Sequence, residues 1–211
     1  IIVENPQNVN SAEIVVGIPS YKEADSISYP TDVVSRGLVQ FFPEQSSVII
    51  NVDNNSPDQT KKVFLGTPTK VPKVYISTPP GVKGKGNNFL NLFKAAVELR
   101  AKAIIVVDAD LKSITPSWVR YLGEPLMGRF DYVSPIYVRH KYDGTITNNI
   151  VYNLTRALYG KRIRQPIGGD FAFSRDVAKF YAEQDVWDTD VARYGIDIWM
   201  TTNAITQGFR T

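Results

Sequence analysis

Cysteine is absent from the 211 residues, and histidine occurs once. Without thiols the chain has no disulfide, no thiolate metal site and no cysteine nucleophile. No apolar run reaches the ~18 residues that a membrane-spanning helix requires. A large excess of either charge is also missing: 24 Lys+Arg stand against 21 Asp+Glu, a formal net charge of +3. That balance is too mild to imply nucleic acid as a partner, although a few local cations suffice to meet phosphates. The opening IIVENPQNVNSAE carries neither a basic segment nor a signal-peptide cleavage pattern, which points to a cytoplasmic location. It also lacks an initiator Met, and the closing ITQGFRT stops within a pattern that could continue, so the chain is expected to be part of a longer polypeptide. Repeats and low-complexity linkers are missing too.

What is present is 43% hydrophobic, enough for one sizeable core. Short apolar runs alternate with segments of helical spacing. Strands are expected at Glu13–Ile18, Ser47–Val52, Lys73–Ser77, Ala103–Val107 and Tyr132–Val138. Helices are expected at Asp32–Phe42, Asp58–Leu65 and Asn87–Arg100, and from Thr115-Pro116 to Leu122. Beyond Tyr132 the pattern loosens, with helices at Asn149–Tyr159 and Tyr194–Thr206. This alternation predicts an α/β fold with a mostly parallel, doubly wound sheet flanked by helices. Ligands of such sheets bind beyond the carboxyl ends of the strands. Four polar loops follow strands here: PSYKE, DNNSPD, TPPGVKGKG and DADLKS.

Asp108-Ala109-Asp110 ends a fully apolar strand. By the strand's period of two, both carboxylates face one side, and they repel unless a cation lies between them. A divalent ion bound by oxygen, Mg²⁺ or Mn²⁺, answers this and leaves room for phosphate oxygens. A solvated acidic pair opening a turn is the competing reading. GVKGKGNNF supplies glycines for close backbone approach, Lys83 and Lys85 as cations, and a helix N-terminus that favours anions. A basic flexible loop is its plain alternative. Asp53 and Ser56 suit the polar edges of a ribose or base, or else form a turn with Ser56 capping a helix. Asp170, after two glycines, suits sugar hydroxyls or a tight turn. Asp197, flanked by Ile196, Ile198 and Trp199, needs a partner or a function if it is buried. His140 reads as a solvent-facing loop residue. Arg139, Lys141, Thr147 and Asn148 together suit an anionic acceptor. Arg156, Lys161, Arg162 and Arg164 form either more of that surface or a solvated basic face.

Taken together, VVGIPSYKEAD, NVDNNSPDQT, GKGNN, DAD, DGTIT, QPIGGDFAFS and YGIDIWM resemble, in that order, nucleotide-sugar glycosyltransferases of the GT-A fold. The likeness is greatest to the group of glucosyl-3-phosphoglycerate and mannosyl-3-phosphoglycerate synthases and mannosylglycerate synthase. It covers almost the whole chain. It implies one domain over 1–211, with about 1–131 binding the donor and 132–211 forming the sugar and acceptor side. By this resemblance Pro19, Tyr21, Glu23, Asp53 and Ser56 would surround the nucleoside, and Lys85 would meet the diphosphate. Asp108 and Asp110 would be the metal ligands, Asp110 in the more direct role. Gly169, Asp170 and Asp197 would surround the donor sugar, with Arg139, Thr147 and Asn148 at the acceptor. Lys85, Asp110, Asp170 and Asp197 are thus the expected catalytic residues. Lys22 replaces the Asn common in that group, and no histidine follows YGIDIWM to complete a metal shell. The implied reaction is metal-dependent hexosyl transfer from a nucleotide-diphosphate sugar to a small anionic acceptor such as 3-phosphoglycerate or glycerate, with retention. The residues alone leave open inversion, with Asp170 or Asp197 as base. They also leave open a nucleotidyltransferase and a non-catalytic nucleotide-sugar-binding module. A homodimer is the default assembly.

Overall fold

Long apolar runs make strands that are buried on both faces, and here they stack into the centre of one sheet. A computed structural model describes residues 1–138, 140 and 142–211. The first half alternates β1 (Ile2–Glu4), β2 (Ile14–Ser20), α1 (Ser28–Phe41), β3 (Ser47–Asp53), α2 (Thr60–Gly66), β4 (Lys73–Ser77) and α3 (Lys85–Glu98). The second half runs through β5 (Ala103–Val106), α4 (Pro116–Gly123), β6 (Tyr132–Val133), α5 (Tyr152–Tyr159), β7 (Phe171–Ser174), α6 (Arg175–Ala182) and α7 (Ile196–Thr206). A π-helical turn, Thr147–Val151, leads into α5, and a 3₁₀ turn, Asp190–Ala192, precedes α7.

The strand order is β1-β4-β3-β2-β5-β7-β6. β4, β3, β2 and β5 are mutually parallel. β2 is wholly buried, and its side chains divide by parity: Val15 joins the core under α3 and α6, while Ile14, Val16 and Ile18 join the core under α1 and α4. β5 divides likewise, with Ile104 and Val106 on the first face and Ala103, Ile105 and Val107 on the second. Helices cover both faces, so these strands read as unbroken apolar runs instead of alternating ones.

The sheet is mostly parallel, as expected, and its outer strands are where it departs from that direction. β1 adds antiparallel to β4, and β7 inserts antiparallel between β5 and β6. Neither β1, β7 nor α6 stood out from local pattern. The expected strand over 132–138 shortens to Tyr132–Val133, because β7 offers it only Phe173 and Ala172 as partners. Residues 134–138 run on without ladder bonds. α2 begins at Thr60, so Ser56 does not cap it, and α1 begins earlier than expected, with Pro30 in its first turn. No helix among the described residues is long and apolar enough to cross a membrane.

The chain's last residues are tied back to β6. Arg210 donates to Asp131 through Nε (2.8 Å), Nη2 (2.9 Å) and its backbone N–H (3.0 Å). These bonds hold the Asp131 carboxyl below the usual carboxylate range. A lowered folded-state pKa contributes stability above the unfolded pKa and loses it as pH falls through the folded value. Arg210 is largely solvent-facing, so screening limits the gain. Asp131→Asn is expected to cost about 1 kcal/mol at pH 7, a fall in Tm of about 2–4 °C. Calorimetry should show the two proteins converging in acid, once the wild-type carboxyl is itself protonated.

Candidate active site

The parallel strands change winding direction between β2 and β5: β2 leads outward through β3 and β4, and β5 lies on its other side. A crevice beyond the carboxyl ends of strands at such a switch is where open α/β sheets bind ligands. Here it is a cavity of about 320 Å³. Pro19 lines it from the end of β2, Tyr21 and Glu23 from the loop after it, Lys83 from the loop before α3 and Lys85 from the first residue of α3. Asp108 and Asp110 line it from the loop after β5. Tyr194, just before α7, closes one side.

The charges meet at Lys85. Its Nζ lies 3.4 Å from Asp108 Oδ1 and 3.5 Å from Asp197 Oδ1. Burial alone would lower the Lys85 pKa, but the two carboxylates outweigh it and hold the ammonium above the ordinary lysine range. Burial pushes the Asp197 carboxyl up to about 6 against the pull of Lys85. Asp170, 2% exposed, is also pushed up to about 6, chiefly by burial, with repulsion from Asp108 adding to it. Tyr137 opposes that shift by donating its phenol O–H to Asp170 Oδ2. Asp108 and Asp197 thus meet at one lysine with Asp170 beside Asp108, as their separate places in the sequence did not reveal.

Two glycine roles are settled by space. A Cβ on Gly169 would sit 1.7 Å from Asp108 Oδ2, so glycine makes room for that carboxylate to lie across the chain. In the GVKGKG loop, a Cβ on Gly86 would sit 2.0 Å from Val191 O and one on Gly84 2.5 Å from Ala192 O. Gly84 also has φ +117°. The close approach expected for a ligand is made instead by the backbone of 191–193.

Asp53 and Ser56 do not line the cavity. Asp53 is fully buried and accepts from Ser20 Oγ (2.7 Å), Ser56 N (2.7 Å), Ser56 Oγ (2.7 Å) and Tyr75 Oη (2.9 Å). With both carboxylate oxygens taken, it braces the loops instead of facing a base. Ser56 Oγ also accepts from Lys22 N (2.8 Å), which fixes Lys22 at φ 61° beside Tyr21. Sequence reasoning missed Asn54 and Asn88. Both line the cavity, are at least nine-tenths buried, and leave their Oδ1 atoms without a hydrogen bond. The doubled asparagines of DNN and GKGNN were the available signal.

On the acceptor side Arg139 lies outside the described residues. Thr147 is 6% exposed in the π-helical turn, and Asn148 donates to Asp143 O at 3.2 Å. Neither lines the cavity beside Lys85. His140 is exposed, as expected.

A divalent cation fits part of this arrangement. Among the described residues no group of three or more His, Asp or Glu side chains forms a protein cage. Asp108 and Asp110 instead give two hard oxygen donors on one cavity wall. One or two carboxylates completed by phosphate oxygens is how Mg²⁺ is usually held. The donor set therefore suits an ion shared with a bound phosphate.

Solved structures similar to this chain include a mycobacterial protein, with TM-score 0.71 and 23% identity over 93% of this chain and 62% of its own. Another is glucosyl-3-phosphoglycerate synthase from Mycobacterium tuberculosis in complex with Mn²⁺, UDP and phosphoglyceric acid. It gives TM-score 0.69 and 21% identity over 93% of this chain and 65% of its own. The same enzyme with Mg²⁺ and UDP gives TM-score 0.70 and 21% identity over 93% and 66%. The chain thus spans less than two thirds of the length of the first two, and at such identities the likeness speaks for the fold. No curated protein sequence matches the chain. The family profile described as glycosyl transferase family 2 matches residues 15–184, from β2 past α6. That span is well over half of the chain and carries the switch-point cavity, Lys85 and both acids after β5: the chain belongs to glycosyl transferase family 2.

Proposed function

We propose that this chain transfers a hexosyl group from a nucleotide-diphosphate sugar to an acceptor hydroxyl, with Mg²⁺ or Mn²⁺ bound together with the donor. The observation that carries the reading is the Lys85 ammonium held between Asp108 and Asp197 at the mouth of the switch-point cavity, beside Asp110. Pro19, Tyr21 and Glu23 are placed to receive the nucleoside, braced from below by Asp53 and Ser56. Asn54 and Asn88 add side-chain amides to the lining on that side. Breaking the anomeric bond builds negative charge on the departing diphosphate and positive charge on the sugar. A divalent ion supplies charge neutralisation for the diphosphate. Asp108 and Asp110 would hold it, and Lys85 would add a fixed cation from the protein. Asp170 and Asp197 are carboxylates suited to the sugar's hydroxyls and its developing positive charge. Retention follows from the resemblance alone, and NMR of the first-formed product reads it.

Calorimetric titration with UDP and with GDP, each with and without Mn²⁺, tests the reading. One nucleotide should bind at least tenfold more tightly with Mn²⁺, a coupling of about 1.4 kcal/mol. Asp110→Ala should remove that enhancement. Equal affinities with and without the metal for both nucleotides would overturn the proposal.

A further inference from the structure

A surface helix ordinarily turns its apolar stripe to the core and its polar side chains to water. The stretch from Ile146 to Leu158 does the reverse. Ile146, Ile150, Leu154 and Leu158 recur at every fourth position along the π-helical turn and α5, and they are 64%, 60%, 55% and 65% exposed. The buried positions are Thr147, Tyr152 and Thr155, all three bearing hydroxyls. α5 lies against α7, the helix that carries Asp197, and shows its aliphatic side chains to the outside. Four such side chains in line over about three turns make a continuous apolar ridge. Exposed ridges of this kind mark a protein partner or a membrane.

Charge and shape decide between them. No Asp or Glu occurs from Gly144 to Gly169, whereas Arg156, Lys161, Arg162 and Arg164 fall in that stretch and all four are exposed. Arg164 lies over the Tyr152 ring, 4.4 Å from its centroid, so the chain after α5 doubles back beside the helix. Two copies pairing ridge to ridge about a two-fold axis would bring both sets of cations together with no acid of that stretch to offset them. A helical partner seats best in a groove, whereas a fluid bilayer accepts a convex ridge. We infer that this helix docks the protein on an anionic bilayer surface. Ile146, Ile150, Leu154 and Leu158 sink into the acyl boundary, and the four cations meet the headgroup phosphates. An apolar stripe with a basic flank is what a helix lying in the interface plane requires. The protein lies on the bilayer through this helix and does not cross with it, for no helix among the described residues is long and apolar enough. The inference is independent of the transfer reading, since none of these side chains lines the nucleotide cavity.

Co-flotation of the intact chain with lipid vesicles tests this. Vesicles of equal parts phosphatidylglycerol and phosphatidylcholine should carry the protein, and pure phosphatidylcholine should bind it about tenfold less. Ile150→Ser combined with Leu154→Ser should lower binding to the mixed vesicles about tenfold or more. Both side chains are exposed, so Tm should hold. Lys161→Gln combined with Arg162→Gln should lower binding to the mixed vesicles and leave the weak binding to phosphatidylcholine unchanged. This second pair keeps the test decisive should the first fail to fold. Absence of the wild-type chain from the mixed vesicles would overturn the assignment, as would wild-type flotation of both folded double variants. So would dimerisation in analytical ultracentrifugation that the serine pair abolishes, because the ridge would then belong to a second copy.

Discussion

Lys85→Ala is expected to lower glycosyl transfer by about 10²–10³ while the protein stays folded. The lysine Nζ is 3.4 Å from Asp108 and 3.5 Å from Asp197, and its side chain is 25% exposed. Opposite charges about 4 Å apart interact by about 4 kcal/mol at an effective dielectric near 20. A cation aimed at a leaving diphosphate is worth that order of energy only if it stays fixed, and two carboxylates fix this one. Phe89 supports it as well, with Nζ 5.8 Å from the ring centroid. Without the ammonium, Asp108 and Asp197 face each other with less compensation, and their repulsion disturbs the wall that would hold the metal. The fold should survive, because the cluster opens to the cavity and the carboxylates can take up water or a proton. Lys102→Ala serves as the control: its surface pair with Glu13 lies at the opposite end of the strands. Turnover and Tm measured together decide the matter. A folded Lys85→Ala protein with turnover near wild type would remove Lys85 from the chemistry.

Gly86→Ala should be strongly damaging for a single methyl group. The added carbon would lie 2.0 Å from Val191 O and 2.7 Å from both Cα and C of Ala192. All three are backbone atoms, so no side chain can swing away. The Gly86 N–H also donates to Arg193 O at 3.1 Å, and that bond must lengthen as the segments part. Overpacking of this kind costs about 2–4 kcal/mol, or about 5–15 °C in Tm for a chain of this size. Function should suffer too. The first turn of α3 carries Lys85, and the turn that is pushed away leads into α7 and Asp197. Gly81→Ala separates space from backbone strain: nothing lies within 4 Å of its Cβ position, but φ is +88°. Its cost should be about 1 kcal/mol. Equal losses at 81 and 86 in thermal unfolding would defeat the packing account.

The same residues mark how far the sequence could be read. GVKGKG was legible as a place where the backbone needs to come close to something, because glycine has few other uses at that density. It did not say to what, since the 191–193 backbone is about a hundred positions away. Asp53 stood at a strand end with the right chemistry for a base edge. Only burial, with Ser20, Ser56 and Tyr75 already occupying its oxygens, turned it into a brace. Gly169 is expected from the resemblance beside the donor sugar, and the structure adds that its missing Cβ makes room for Asp108.

By itself the sequence determined the parallel centre of the sheet and the acids at its edge. Unbroken apolar runs such as AIIVV have to be buried on both faces, and a charged DAD at the end of one has to emerge where the strand stops. These are local consequences of burial and of a two-residue repeat, and neighbours along the chain suffice to express them. The tertiary structure alone decided which strand β7 joins, that two distant acids share one lysine, and that Trp118 packs on Tyr137. Each of these depends on contacts between segments far apart in the chain. The free energy of such pairings comes from surfaces that exist only after the elements have formed, so no local pattern records them.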